Sequence, residues 1–233
     1  MLGTIVNAAA IIAGALLGNF LRGGFPKKYK AVVMQGISLV VILIGLSMAL
    51  QTRNYLVLVL SIVAGGLLGQ LLRIEERLSK LGENLEGRLG GAGGRGGLFT
   101  RGFVTASLVF CVGAMAIMGA LESGLTGRHT TLFIKSLIDG ITATVLASTL
   151  GVGVAFSGVP VFLYQGAITV AATYVKPFLT EAMITEMTAA GGLLIFGIGL
   201  NLLTDQLRIK VGNLLPAIFL AILFVMLLGK LPL

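Results

Sequence analysis

Charge is what this chain has least of. Acidic and basic residues together make up 11% of its 233 residues, against 56% hydrophobic ones. Soluble domains carry about a quarter charged residues, so this chain cannot cover a water-facing surface. A mean hydropathy of +1.02 assigns it to lipid. Histidine and cysteine occur once each, as His129 and Cys111, and tryptophan is absent. One cysteine allows no disulfide within the chain and no cysteine-rich metal site, and one histidine argues against a histidine-based one. No Walker loop occurs, and the glycine runs have no βαβ setting that would make them a dinucleotide fingerprint. No cofactor is therefore expected, and ATP-driven transport by this chain alone is argued against.

Acid is scarcer than base. Nine Asp and Glu face seventeen Lys and Arg, a net charge of +8. The bases sit in short loops beside apolar runs, where basic residues set membrane topology. No aromatic-basic platform accompanies them, so nucleic acid is not an expected partner. The partners expected are the lipid bilayer and a small solute or ion.

What is abundant is apolar sequence and glycine, 34 residues of it. A spanning helix needs roughly 20 mostly apolar residues. Eight candidates result: 4–21, 32–50, 55–72, 103–121, 132–151, 160–180, 188–204 and 212–230. The fold class expected is an all-α transmembrane bundle of seven or eight spans, some of them broken or re-entrant. The first run has no basic segment before it, so it reads as a membrane helix and not a cleaved signal. Basic loops follow candidates 1, 3 and 7, which places that side in the cytoplasm and both termini outside. The chain divides into an N-terminal three-helix unit (1–73), a cytoplasmic segment (74–102) and a C-terminal unit of about five helices (103–233). Within the middle segment, 74–88 has the spacing of an amphipathic helix continuing the third span, and "GGAGGRGG" reads as a flexible linker.

Repeats are present. "AAIIAGALLGNFLR" (9–22) matches "LSIVAGGLLGQLLR" (60–73) without gaps, aligning Gly14 with Gly65 and Gly18 with Gly69. Glycines four apart let helix backbones approach closely. The same faces are compatible with a two-fold homo-oligomer. A second match pairs "NAAAIIAGALLGNFL" (7–21) with "QGAITVAATYVKPFL" (165–179), and "ILIGLSMAL" (42–50) with "FGIGLNLLT" (196–204). Candidates 1–2 would then repeat as 6–7 with opposite direction, an inverted-topology repeat of the kind secondary transporters use.

The polar residues inside apolar runs are the candidate site. Lys135 and Asp139 are four apart on one helix face and can pair. Ionisable groups at membrane depth are costly and mark function by default. Glu122 closes the preceding run and can approach Lys135. Asn7, Gln165 and Asn201, with Gln35 and Gln70, supply about one amide per helix, and Asn7 aligns with Gln165 in the second repeat. The bland reading of the charges is a structural pair with Lys135 reaching toward the interface. The segment "LGVGVAFSGVPVFLYQG" (150–166) reads either as a tight turn at the surface or as an embedded helix break whose free backbone groups bind a ligand. Asn213 and Pro216 read as structural, at the start of the last helix.

"IVNAAAIIAGALLG", "MGALESGLTGRHTTLFIKSLIDG", "SGVPVFLYQG" and "NLLPA" together resemble the bacterial inner-membrane proteins of domain-of-unknown-function family 554, over nearly the full length. The resemblance puts Glu122, Gly124, Thr126, Gly127, Lys135, Ser136 and Asp139 on family-like positions. The family pattern has an acidic residue after the Thr-Gly pair where this chain has Arg128, which argues against cation binding there. The resemblance implies a multi-pass, transporter-like protein of the bacterial cytoplasmic membrane and supplies no substrate. The function expected is a transporter or channel, with Asp139 binding solute or ion and Lys135 modulating its charge. Two rivals stand beside it. One is an intramembrane lipid-acting enzyme with Glu122 or Asp139 as acid or base, for which no nucleophile or metal is assembled. The other is a non-catalytic membrane subunit whose polar residues only join helices. The expectation is not an enzyme.

Overall fold

The computed structural model describes residues 1–21, 27–77, 80, 84, 97–204, 206, 207 and 209–228, and every regular element among them is helical. The helices are α1 (Leu2–Leu21), α2 (Lys27–Ala49), α3 (Tyr55–Leu71), α4 (Leu98–Cys111), α5 (Ala114–Thr126), α6 (Thr130–Leu150), α7 (Gly153–Phe156), α8 (Gly158–Val170), α9 (Ala172–Val175), α10 (Glu181–Leu203) and α11 (Pro216–Leu228). Five stretches among the described residues are long and apolar enough to cross a bilayer: Leu2–Leu21, Thr130–Leu150, Gly153–Val170, Glu181–Leu203 and Val211–Leu228. The bent pair α4–α5 would make a sixth, and the apolar parts of α2 and α3 are shorter. Large apolar side chains point outward along them, as with Leu17, Phe20, Leu67 and Phe219. Such a surface is tolerable in lipid and not in water. The polar residues do the reverse: Thr4, Asn7, Ser61 and Gln165 are wholly buried. Several hydroxyls within the helices return to the carbonyl one turn back, as Ser61 does to Val57, Ser136 to Leu132 and Thr144 to Gly140. That satisfies them without water.

The helices pack into two compact units that are not consecutive in sequence; each draws on both the 1–73 and the 103–233 segments. The first holds α1 and α4 through α9. Here the glycine spacing has its effect. A Cβ at Gly14 would lie 2.1 Å from the Gly140 carbonyl oxygen, and one at Gly18 would lie 2.1 Å from that of Thr144. Gly3 packs against the Leu132 side chain. The paired numbers rise together, so α1 and α6 are parallel and in backbone contact. Helix α8 runs antiparallel to α1, with Gly158 against Ile12 and Gln165 against Asn7.

The second unit contains the C-terminal part of α2, α3, α10 and α11. The aligned glycines of α3 behave like those of α1: Gly65 packs on Ala217 and Gly69 on the Asn213 carbonyl. Gly45 and Gly192 bring α2 and α10 together. Both pairs are antiparallel. Asn213 accepts from the Glu75 N–H at 2.8 Å and donates to Gln70 Oε1 at 2.8 Å, while the Glu75 carboxylate accepts from the Gly212 N–H. Pro216 opens α11, where its missing N–H is harmless.

Three expectations need correction. The run 103–121 is not one helix: α4 and α5 meet at Val112–Gly113 with a 59° bend, and Gly113 has φ +128, a conformation that favours glycine. The amphipathic segment does not simply continue α3. Arg73 takes a left-handed φ of 51 between Leu71 and the helical residues 74–77, the form of a helix C-terminal cap. Most of the rest of that segment and the glycine-rich linker lie outside the described residues. Finally, α10 starts at Glu181, not at 188, capped by the Thr180 hydroxyl on the Met183 N–H.

Candidate functional site

In α6 the Lys135 ammonium sits 2.5 Å from Asp139 Oδ2. Both residues are buried, at 6% and 5% exposure. Lys135 therefore does not reach outward to an interface. Asp139 is the tenth residue of a 21-residue helix, roughly 14 Å along a length of about 30 Å. That is the middle of a helix long and apolar enough to cross a membrane. The pair offsets part of the cost of burying each charge.

Two amides complete the group. Asn7 lies two turns before Gly14 on the face of α1 that meets α6. Its carboxamide lies beside the Asp139 carboxylate. Asn7 Nδ2 also donates to Gln165 Oε1 of α8 at 3.2 Å. Both amides are wholly buried. One turn further, the Thr4 and Thr169 hydroxyls are 3.4 Å apart. Lys135, Asp139, Asn7 and Gln165 thus form one connected polar group on three helices of the first unit. The group is incompletely satisfied: Asn7 Oδ1 and Gln165 Nε2 are buried with no hydrogen-bond partner among the described residues. The Cys111 thiol, half-buried at the end of α4, lies within electrostatic reach of Lys135 and Asp139, and of Tyr164 on α8.

The structure therefore brings four of the six expected site residues together. Glu122 belongs to the same unit, on α5, with its Oε2 buried and without a hydrogen-bond partner among the described residues, while Lys135 pairs with Asp139. Asn201 belongs to the second unit. Its amide donates to the Ile209 carbonyl and accepts from the Ile209 N–H, tying down the chain after α10. Of the other amides, Gln70 bonds to Asn213 and Gln35 is exposed. His129 accepts or donates across 2.9 Å to Ser123, joining α5 to the start of α6. Among the described residues no three His, Cys, Asp or Glu side chains gather as a metal cluster.

The junction at 150–166 is a turn of two residues, Gly151 and Val152, between α6 and α7. Gly151 takes φ +81 with ψ −163, which favours glycine. Gly153 lies so close to the Phe99 carbonyl that a Cβ would stand 2.1 Å from it. Pro160 falls in the first turn of α8, where it breaks no helical bond. Sequence reasoning missed one buried carboxylate. Glu186 of α10, 3% exposed, accepts from Thr52 Oγ1 at 2.6 Å and from the N–H groups of Arg53 and Asn54 at 2.8 and 3.2 Å. It fastens the α2–α3 turn within the second unit. The signal available was an acid, "TEMTAAGG", just before an apolar run.

The family described as "Protein of unknown function (DUF554)" matches residues 2–226. The chain is similar to the uncharacterized membrane protein YdfK of Bacillus subtilis (strain 168), 33% identical over 222 residues, which cover 94% of this chain and 93% of that protein. It is also similar to the uncharacterized protein YqgA of Escherichia coli (strain K12), 27% identical over 223 residues, covering 95% and 94%. No solved structure matches.

Proposed function

Starting from the fact that this chain belongs to the DUF554 family, a membrane-protein fold of apolar helices, we propose that it is a transporter or channel for a small solute or ion. Lys135, Asp139, Asn7 and Gln165 are its intramembrane binding group. One observation carries this reading: a buried ion pair continuous with two amides, part of whose hydrogen-bonding capacity is unused. A polar group that served only to join helices has every reason to be fully satisfied, because each unmet buried donor or acceptor costs about 1–3 kcal/mol. An incomplete group at membrane depth is what a solute completes. The protein then acts as a carrier or channel and not as an enzyme.

The proposal includes an eight-pass topology in a bacterial cytoplasmic membrane, with both termini outside. Helix directions within each unit support it. Eight alternating passes require α1 parallel to α6, α1 antiparallel to α8, α2 antiparallel to α10 and α3 antiparallel to α11, and the glycine contacts have those senses. They also support an inverted repeat. In the alignment Ile42 corresponds to Phe196 and Gly45 to Gly199. Gly45 packs on Phe196, and Gly199 packs on Ile42. Exchanging the two repeats turns one contact into the other, as a two-fold relation demands. Asn7 and Gln165, aligned with each other, are bonded to each other.

The test needs no knowledge of the solute. Cys111 is the sole cysteine, so the wild-type protein reports on its own interior. A charged, membrane-impermeant methanethiosulfonate is expected to modify Cys111 in sealed vesicles, and Cys111→Ser to abolish the labelling. Modification by a lipid-soluble maleimide alone would show a polar group sealed from water, and would reject a transport pathway through it.

A further inference from the structure

We infer that the solute carries no net charge and presents a hydrogen-bond acceptor and an N–H or ammonium donor side by side, as zwitterionic amino acids and small carboxamides do. The inference rests on the transport reading and deepens it. Its first ground is charge. Lys135 and Asp139 cancel, and Asn7, Gln165, Thr4 and Thr169 add none, so the buried group is neutral as it stands. A bare cation or anion there would bring an uncompensated charge into an apolar surround, which is strongly unfavourable.

The second ground is the unused inventory. Asn7 Oδ1 is an acceptor without a donor, and Gln165 Nε2 is a donor without an acceptor. Both side chains are wholly buried. The two amides share a single bond, Asn7 to Gln165, so one carbonyl and one amino end are left outside it. Exchanging the oxygen and nitrogen ends of both side chains together relocates the leftover groups without removing them, and exchanging one alone would break the bond. A monatomic cation would answer the carbonyl and oppose the amino group. A monatomic anion would do the opposite. A solute with its own acceptor and donor a bond or two apart answers both. Its acceptor takes the Gln165 amino group. Its N–H groups meet the Asn7 carbonyl, with the Asp139 carboxylate nearby for an ammonium. The Thr4–Thr169 pair, 3.4 Å apart and so loosely bonded, offers hydroxyls of either sense at the edge of the group.

The experiment is uptake into proteoliposomes of radiolabelled glycine, alanine, glutamine, acetamide and urea, against sodium, rubidium and chloride, each relative to empty liposomes. Wild type is expected to admit at least one of the neutral solutes and none of the three ions. Gln165→Glu keeps the side-chain size, replaces the donor with an acceptor and adds a negative charge. It is expected to lose uptake of that solute by about tenfold or more, because a site built to bond a polar group rejects a mismatched partner strongly. Gln165→Asn keeps both amide ends, and should fall less than Gln165→Glu. Folding of each variant is checked by monodisperse elution. Uptake of an ion and of no neutral solute would overturn the solute class and leave the transport reading standing. Uptake of nothing would also overturn the class, and Cys111 labelling then decides the wider reading: a water-reachable thiol preserves a pathway, an unreachable one leaves the amides holding a trapped water only. Equal uptake of a neutral solute by wild type and Gln165→Glu would overturn the assignment of this residue.

Discussion

Removing one member of the Lys135–Asp139 pair should cost far more than removing both. Lys135→Met leaves the Asp139 carboxylate at 5% exposure with, among the described residues, the Asn7 amide beside it for compensation. Asp139→Leu strands the ammonium in the same surround. Breaking a buried pair from one side typically costs about 3–5 kcal/mol, whereas replacing both members by apolar residues of similar size is often neutral. The pair is 2.5 Å apart and continuous with Asn7, so each single variant belongs at the full cost. The double variant Lys135→Met/Asp139→Leu loses only the amide contact of Asn7, about 0.6 kcal/mol for an average interhelical bond in a membrane protein. For a chain of this size a kcal/mol moves the midpoint by about 2–4 °C. Thermal unfolding in detergent should therefore fall by about 6–20 °C in each single variant and by a few degrees in the double. The double variant, folded but without the ion pair, should show no solute uptake. A double variant as unstable as the sum of the singles would refute the reasoning, because the two charges would then have separate partners.

Other outcomes follow from the packing. Gly14→Leu should abolish the folded protein, since even a Cβ there meets the Gly140 carbonyl at 2.1 Å; the folded fraction on size exclusion measures it. Gly36→Ala, with nothing within 4 Å of the added methyl, should instead raise stability by about 0.4–1 kcal/mol through the unfolded chain, as a small rise in midpoint. Gly151→Ala forces a side chain into φ +81 and should cost about 1–3 kcal/mol by the same thermal assay. Glu186→Gln turns one of the oxygens facing the donors of Thr52, Arg53 and Asn54 into a donor, and should lower the midpoint by the equivalent of about 1–3 kcal/mol.

Much of this was legible in sequence because helical geometry translates spacing directly into contact. The four-residue glycine spacing at 14/18 and 65/69 marks backbone approach wherever it falls on a packed face: Gly14, Gly18 and Gly69 meet a neighbouring carbonyl, and Gly65 meets Ala217. Lys135 and Asp139 pair for the same reason of spacing. Alignment singled out Asn7 and Gln165 as equivalent positions, but not that the two side chains are bonded to each other. What spacing does not encode is where a glycine takes positive φ. Gly113 breaks α4 from α5 while Gly119 lies within a helix, and nothing local in "CVGAMAIMGA" separates them. Tertiary donors are equally hidden. Glu186 is held by backbone N–H groups of residues 53 and 54, which carry no side-chain signature. Asn201 looked like Asn7 in sequence, yet both ends of its amide are taken by Ile209.

The claim at the centre is that Asp139 takes part in moving a solute, and one comparison addresses it directly. Wild type and Asp139→Asn, each reconstituted at equal density and shown to be monodisperse, are assayed for uptake across the panel of neutral solutes and ions. Asparagine keeps the shape and removes the charge that balances Lys135 beside the two amides. Wild type should carry a solute above empty liposomes and Asp139→Asn should not. Equal uptake by the two proteins would contradict the account, and would make Lys135 and Asp139 a structural pair outside the path the solute takes.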